Sequence, residues 1–282
     1  LDLGLHLAAG KPWLGQFQIP HQKSVLYLDE EMHERTLRRR VKRLGEGAGM
    51  TNNALPFMAL SRKGVRFEEV EVTHLLASLA ASGFDPDVVI VETLRRVMQG
   101  DEREAEVVAT FWRSVEPILK AGKTLIVSHH MRKPSREGRD DIRNRASGST
   151  DLMAGPDTAF AMERATKDRL VVACIKSRNA EEPDPFVVSD NGDSKDSPMA
   201  LGFEGFQQSE QDTGKLKEAL PIIVDILSQV EEHKAKASDL KAILAAANVT
   251  KRTAEAALTL AVKLRMVDRI KKGWYQLPEK AA

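Results

Sequence analysis

A chain of 282 residues is long enough for one large domain and one small one. Charged residues make up 29% of it, but 42 cations nearly balance 41 acids, so overall charge argues neither for nor against a nucleic-acid partner and any basic surface must be local. The single cysteine, Cys174, excludes a disulfide framework and fits a reducing compartment, the cytoplasm; no run of about 18 apolar residues exists to form a membrane span, and no secretory leader pattern is visible.

Residues 1–20 read as an amphipathic helix carrying Leu1, Leu3, Leu5 and Leu7, with a turn through Gly10-Lys11-Pro12-Trp13. A strand follows at 24–29 and runs into acid, Asp29-Glu30-Glu31. The spacing then predicts a helix over 31–45, basic on its outer face through Arg35, Arg38, Arg39, Arg40, Lys42 and Arg43. Residues 46–67 read as irregular, with one short strand. A helix from His74 to Gly83 leads to a second strand, Asp87-Val88-Val89-Ile90-Val91-Glu92, followed by Thr93. A helix over Glu102–Ala121 is closed by Gly122, and a third strand over 124–128 ends in Ser128-His129-His130. Short β-branched runs that stop at polar clusters, alternating with helices, predict an α/β fold with a parallel sheet flanked by helices. Such a sheet brings chemistry to its carboxyl edge.

Residues 132–150 carry almost no apolar side chains and read as a mobile basic loop, with Arg132, Lys133, Arg136, Arg139, Arg143 and Arg145. A strand pair is expected at Thr158–Glu163 and Arg169–Ile175, with a Lys167-Asp168 turn and Cys174 packed inside. Edge strands follow at Phe186–Ser189 and Ala200–Phe203. The last 68 residues read as a separate unit of three helices and a two-stranded wing. The first helix carries Leu216, Leu220, Ile223, Ile226 and Leu227. The second starts at an N-cap Ser238, and the third follows an N-cap Thr250. Two short strands about a Lys272-Gly273 turn complete a winged helix-turn-helix. The expected division is a core over 1–205, a linker over 206–214 and a winged helix over 215–282.

The order of these motifs resembles the RecA-like ATPases of the plasmid replicative hexameric helicase (RepA-like) family, close to the hexameric helicases and the circadian-clock ATPases. The resemblance spans about residues 1–205 and implies ATP and Mg²⁺ as cofactors. It places on Glu31 the acid that polarises the attacking water, with Glu30 as the near alternative. The bland alternative is a solvated helix N-terminus, where acids suit the dipole. Glu92 stands where the family usually has Asp and takes the acid role in the Mg²⁺ shell of the nucleotide, with Thr93 beside it in the nucleotide site. His129 and His130 take the polar position that senses the γ-phosphate or the water; as adjacent residues on a strand they face opposite ways, which disfavours a shared metal. Ile175-Lys176-Ser177-Arg178-Asn179 resembles the motif by which hexameric helicases insert two cations into the neighbouring subunit's nucleotide site; the alternative is a solvated basic strand end.

The phosphate loop that opens this family's core is not in the sequence. Gly4 to Lys11 imitates one, but its spacing is one residue too long and Pro12 replaces the Mg²⁺-binding hydroxyl. The resemblance therefore implies a phosphate loop a few residues before Leu1, with 1–9 as the helix that presents its N-terminus to the phosphates. DNA contacts are expected at the 132–150 loop, around single-stranded DNA in a ring channel. Further contacts, to duplex, are expected at Lys251, Arg252, Lys271 and Lys272 of the winged helix. A solvated loop and a winged helix used for protein contact are the alternatives. The resulting expectation is an ATP-dependent DNA helicase assembled as a homo-oligomer, a hexamer, without a membrane partner. A nucleotide-switched regulator or loader, and an inactive DNA-binding scaffold, are its rivals.

Overall fold

The structure is a computed structural model that describes residues 1–50, 54–131, 150–190, 192, 197–207, 210–264 and 266–278. The chain divides into two compact units, Leu1–Gln207 and Gln208–Ala282.

Helix α1 (Asp2–Ala9) opens the first unit. It ends eleven residues short of the 1–20 span, at the Gly10 turn that the sequence also marks, because Gly10 adopts the left-handed conformation (φ 62°). There the amides of Gly10 and Lys11 return to the carbonyls of Leu7 and His6, which closes the helix. A tight turn brings Trp13 opposite Phe17, and the Trp13 indole donates to Asp2 Oδ2 at 2.9 Å. Strand β1 (Val25–Asp29) is buried along its whole length. Helix α2 (Glu34–Gly47) begins three residues later than expected. The cause is Asp29, whose Oδ1 accepts from the amides of Glu31 and Met32 and holds that stretch as a turn. Strand β2 (Phe57–Ser61) and helix α3 (Glu69–Ala81) lead to β3 (Val88–Glu92). A short helix α4 (Leu94–Val97), absent from the sequence reading, follows at once. The single helix expected over Glu102–Ala121 is two, α5 (Ala105–Ser114) and α6 (Glu116–Lys120). Pro117 has no amide to continue the first helix and sits comfortably in the first turn of the second. Strand β4 (Thr124–Val127) completes the sheet.

That sheet is wholly parallel, in the order β2-β1-β3-β4. Alternation along its strands splits the core in two. Val25, Tyr27, Val88 and Ile90 meet α1 and α2 on one face. Leu26, Leu28, Val89 and Val91 meet α3, α5 and α6 on the other, with Phe67, Val108, Phe111 and Ile118. This is the α/β architecture, a parallel sheet flanked by helices, expected from the sequence. The chain leaves β1 toward β2 on one side and returns to β3 on the other, so the sheet has its topological switch point between β1 and β3.

After the short helix α7 (Thr150–Ala154), the chain builds a second sheet in place of extra edge strands for the first. Strands β5 (Thr158–Arg164), β6 (Arg169–Ser177), β7 (Phe186–Asp190) and β8 (Leu201–Phe206) pair in sequence, all antiparallel. Trp13 and Phe17 cover one face, in an aromatic cluster with Phe186 and Phe203. Cys174 is buried in β6 with a free thiol.

The second unit runs α8 (Glu210–Gln229), a 3-10 turn (Glu231–His233), β9 (Lys234–Lys236), α9 (Ala237–Ala246), α10 (Lys251–Lys263), β10 (Asp268–Lys271) and β11 (Trp274–Gln276). Its three strands form an antiparallel sheet in the order β10-β11-β9. The sequence reading missed β9 and misplaced one cap: Lys236 precedes α9, and the Ser238 hydroxyl binds Asp239 instead. Thr250 does cap α10, its Oγ1 accepting from the Thr253 amide at 3.2 Å. Thr250→Ala is expected to cost about 1 kcal/mol, read as a lowered urea midpoint at unchanged slope. No helix among the described residues is long and apolar enough to cross a membrane.

Candidate functional site

Parallel register puts like positions of neighbouring strands side by side. Asp29 pairs with Ser61 of β2 on one side and with Glu92 of β3 on the other. Val91 pairs with Val127, which sets Ser128 beside Glu92. Ser61, Asp29, Glu92 and Ser128 thus form one row across the carboxyl edge, all on the face that carries α1 and α2. Asp29 is fully buried, and its Oδ2 and the Ser128 Oγ are buried atoms without a hydrogen-bond partner among the described residues. The Ser61 hydroxyl donates to the Met32 carbonyl at 2.6 Å and so pins the turn that follows Asp29.

Beside this row lies a cavity of about 410 Å³, lined by Leu1, Tyr27, Glu31, Met32, Arg40 and Glu92. It sits at the β1/β3 switch point, where open α/β sheets place their ligands. The N-terminus of α1 opens on it through Leu1. Tyr27 Oη lies 3.5 Å from Glu92 Oε2. Burial pushes the Tyr27 phenol well above its ordinary pKa, and the nearby Glu92 carboxylate adds to the push, so the phenol stays a donor.

The two acids after Asp29 differ in what holds them. Glu30 accepts from the amides of Lys63, Gly64 and Val65 at 3.0–3.2 Å and clamps the loop after β2. Glu31 is exposed on the cavity wall, and no side-chain hydrogen bond or ion pair holds its carboxylate among the described residues. Since α2 begins only at Glu34, Glu31 is not a helix N-terminal acid. Its carboxylate can orient a water and take its proton, whereas that of Glu30 is committed to structure.

The donor set suits the group that the fold implies. Hard oxygen ligands from Glu92, the unpartnered Asp29 Oδ2 and the Ser128 hydroxyl fit Mg²⁺, which takes one or two carboxylates and keeps several waters. Helix α1 turns its N-terminal amides toward the cavity, and the Arg40 guanidinium supplies the cation that anionic phosphates need beside two acids.

Other expected site residues lie elsewhere. Thr93 is buried at the start of α4. His129 is half-buried with Nε2 3.9 Å from Glu102, and His130 is exposed. Among the described residues no three His, Cys, Asp or Glu side chains gather to hold a metal. Lys176 and Arg178 converge on the C-terminal end of α7. Lys176 Nζ donates to the carbonyls of Met153 (2.6 Å) and Ala154 (2.9 Å), and Arg178 donates to the carbonyls of Ala154 and Gly155 and to the Asp157 carboxylate. These carbonyls are the orphaned acceptors of the last helical turn, so two cations fit there. Desolvation, and then the charge of Arg178, hold the Lys176 ammonium below its ordinary pKa. Gly155 makes the arrangement possible: a Cβ there would lie 2.1 Å from the Trp112 ring.

Residues 1–136 match the family model described as an AAA domain. The matched span holds β1 to β4 and every residue lining the cavity. Among solved structures, the chain is similar to the RadB recombinase at 14% identity and a TM-score of 0.40, over 63% of this chain and 78% of that one. It is also similar to a KaiC-like protein of the hyperthermophilic archaeon Pyrococcus horikoshii OT3, at 11% identity and a TM-score of 0.40, over 65% of this chain and 76% of that one. No curated protein matches.

Of the expected DNA contacts, Arg136, Arg139, Arg143 and Arg145, with Arg132 and Lys133, lie outside the described residues, as does the side chain of Arg252. Lys251 is exposed at the start of α10, and Lys271 and Lys272 are exposed at the β10–β11 turn. Sequence reasoning missed Asp29, Ser61, Ser128 and Arg40. The signal for the first three was there, since three strands end on a polar residue at the same offset. Arg40 was hidden in a run of six cations; only its place on α2 singles it out.

Proposed function

We propose that the chain is an ATP-dependent DNA translocase of the ring-forming RecA-like class, a helicase in the replication of a plasmid, phage or mobile element. The observation that carries this reading is the polar row at the switch point, with Glu31 uncommitted beside it. In this reading Glu31 orients the attacking water and accepts its proton. Glu92 and Asp29 would hold the ion, Glu92 standing where the family usually has an Asp one methylene shorter. Tyr27 fixes the Glu92 carboxylate by donating to it. Bound Mg²⁺ would neutralise charge on the phosphates. Lys176 and Arg178 act in trans, on the site of a neighbouring subunit in a hexamer. Residues 1–205 form the ATPase core, 206–214 the linker, of which 210–214 are already the first turn of α8, and 215–282 a winged helix. The helix, strand, helix, helix, strand, strand order of the second unit supports the last assignment.

Steady-state phosphate release with and without single-stranded DNA tests the reading, in the chain extended upstream through the expected phosphate loop. DNA-stimulated turnover is the expected outcome. Nucleotide binding without turnover would favour a second reading, a regulator or loader that ATP merely switches; Glu92 in place of Asp is the feature that suits it. Neither binding nor turnover would leave a DNA-binding scaffold. If Glu92 is the ion-side acid, Glu92→Asp keeps or raises turnover in the same assay, while a drop of tenfold or more would remove it from that role.

A further inference from the structure

The outer face of the small antiparallel sheet carries an aromatic ring between two cations. Register places Trp274 of β11 directly opposite Lys236 of β9 and Lys271 of β10. The two ammonium groups stand over the indole, at 5.5 Å and 4.8 Å from its centre. Both lysines are exposed and the ring is half-buried. The opposite face of this sheet is the one that packs: Ala235 is buried in the core of the second unit and Tyr275 rests against it, whereas Trp274 belongs to no core cluster. An indole is a large apolar surface to leave at the edge of solvent. Among the described residues, acids near this face are few. Asp268 lies at the far end of β10, opposite Gln276, and Glu232 is paired with Lys234.

We propose that Lys236, Trp274 and Lys271 form a stacking site for an unpaired nucleotide of single-stranded nucleic acid. The ring offers its π-face, to which any base can stack, and the lysines flank it where the adjoining phosphates would run. Each ammonium that leaves the ring for a phosphate exchanges a weak cation–π contact for a stronger ionic one. Paired bases within a duplex are already stacked on both faces, so this site selects unpaired ones. The inference rests on the DNA-binding reading of the chain and deepens it: the strand sits on the sheet face, apart from Lys251 at the start of α10.

Anisotropy of labelled oligothymidylate and of a blunt duplex, titrated with the whole chain over a range of salt, is the test. Trp274→Ala is expected to weaken oligothymidylate binding about tenfold with an unchanged salt slope. Trp274→Phe should retain binding to within about threefold, since a phenyl ring still stacks. Lys236→Gln combined with Lys271→Gln should flatten the slope of log K against log salt by about 1.4, two phosphates on a single strand. Duplex affinity should stay as in the parent for Trp274→Ala. Indole emission of the unaltered chain should fall on saturation with oligothymidylate, which needs no variant to fold; the other two tryptophans, Trp13 and Trp112, lie in the first unit. Unchanged emission, unchanged affinity of a folded Trp274→Ala chain, or an equal loss on duplex would each overturn the site. A parent chain that binds no oligonucleotide at all would overturn the DNA-binding reading with it.

Discussion

Glu31→Gln is expected to lower ATP turnover by about 10²–10⁴-fold while nucleotide affinity changes by less than about threefold. The amide keeps the shape and the hydrogen-bonding reach of the carboxylate but cannot accept the proton of the attacking water. The neighbouring acid provides the internal control. Glu30 holds three amides of the loop after β2, so Glu30→Gln should act on the fold instead, with a loss of about 1 kcal/mol, discounted for a partly exposed site. Phosphate release and thermal unfolding on both variants separate the roles. Turnover that survives Glu31→Gln but vanishes in a folded Glu30→Gln chain would transfer the water to Glu30. Survival in both would remove this turn from the chemistry.

The reason those two acids are not equivalent is invisible in the sequence, where Glu30 and Glu31 are adjacent and alike. It depends on a loop more than thirty residues away. The same holds for Ser61, which joins the polar row only through its register with Asp29. By contrast, the sheet itself was legible, because Val88-Val89-Ile90-Val91 and its companions are short β-branched runs with abrupt polar ends. Helix ends were misjudged where one side chain overrode periodicity. Asp29 delays α2, Gly10 cuts α1 short, and Pro117 divides the helix that apolar spacing joins. Strand β9 left no trace at all: Lys234-Ala235-Lys236 has no β preference, and pairing with β11 makes it a strand. The motif points to Lys176 and Arg178, yet their tether to the end of α7 follows from nothing in it, since the sequence reading gives residues 151–157 no element.

That tether sets the terms of the second large effect. Arg178→Ala is expected to lower turnover by about 10³–10⁵-fold if the guanidinium stabilises the transferring phosphoryl group of a neighbour. A loss of that size could also come from a disturbed α7, because Arg178 and Lys176 together satisfy the carbonyls of Met153, Ala154 and Gly155 within their own chain. Mixing separates the two. An Arg178→Ala subunit still offers an intact Glu31, and a Glu31→Gln subunit still offers an intact Arg178. In a mixed ring some interfaces therefore join the surviving pair and regain turnover, so activity above that of either parent is expected. A defect of helix capping stays inside the subunit that carries it and cannot be complemented in this way. No recovery at any ratio, with co-assembly established by differently tagged subunits, would assign Arg178 to its own chain, and the trans arrangement with the ring built on it would fall.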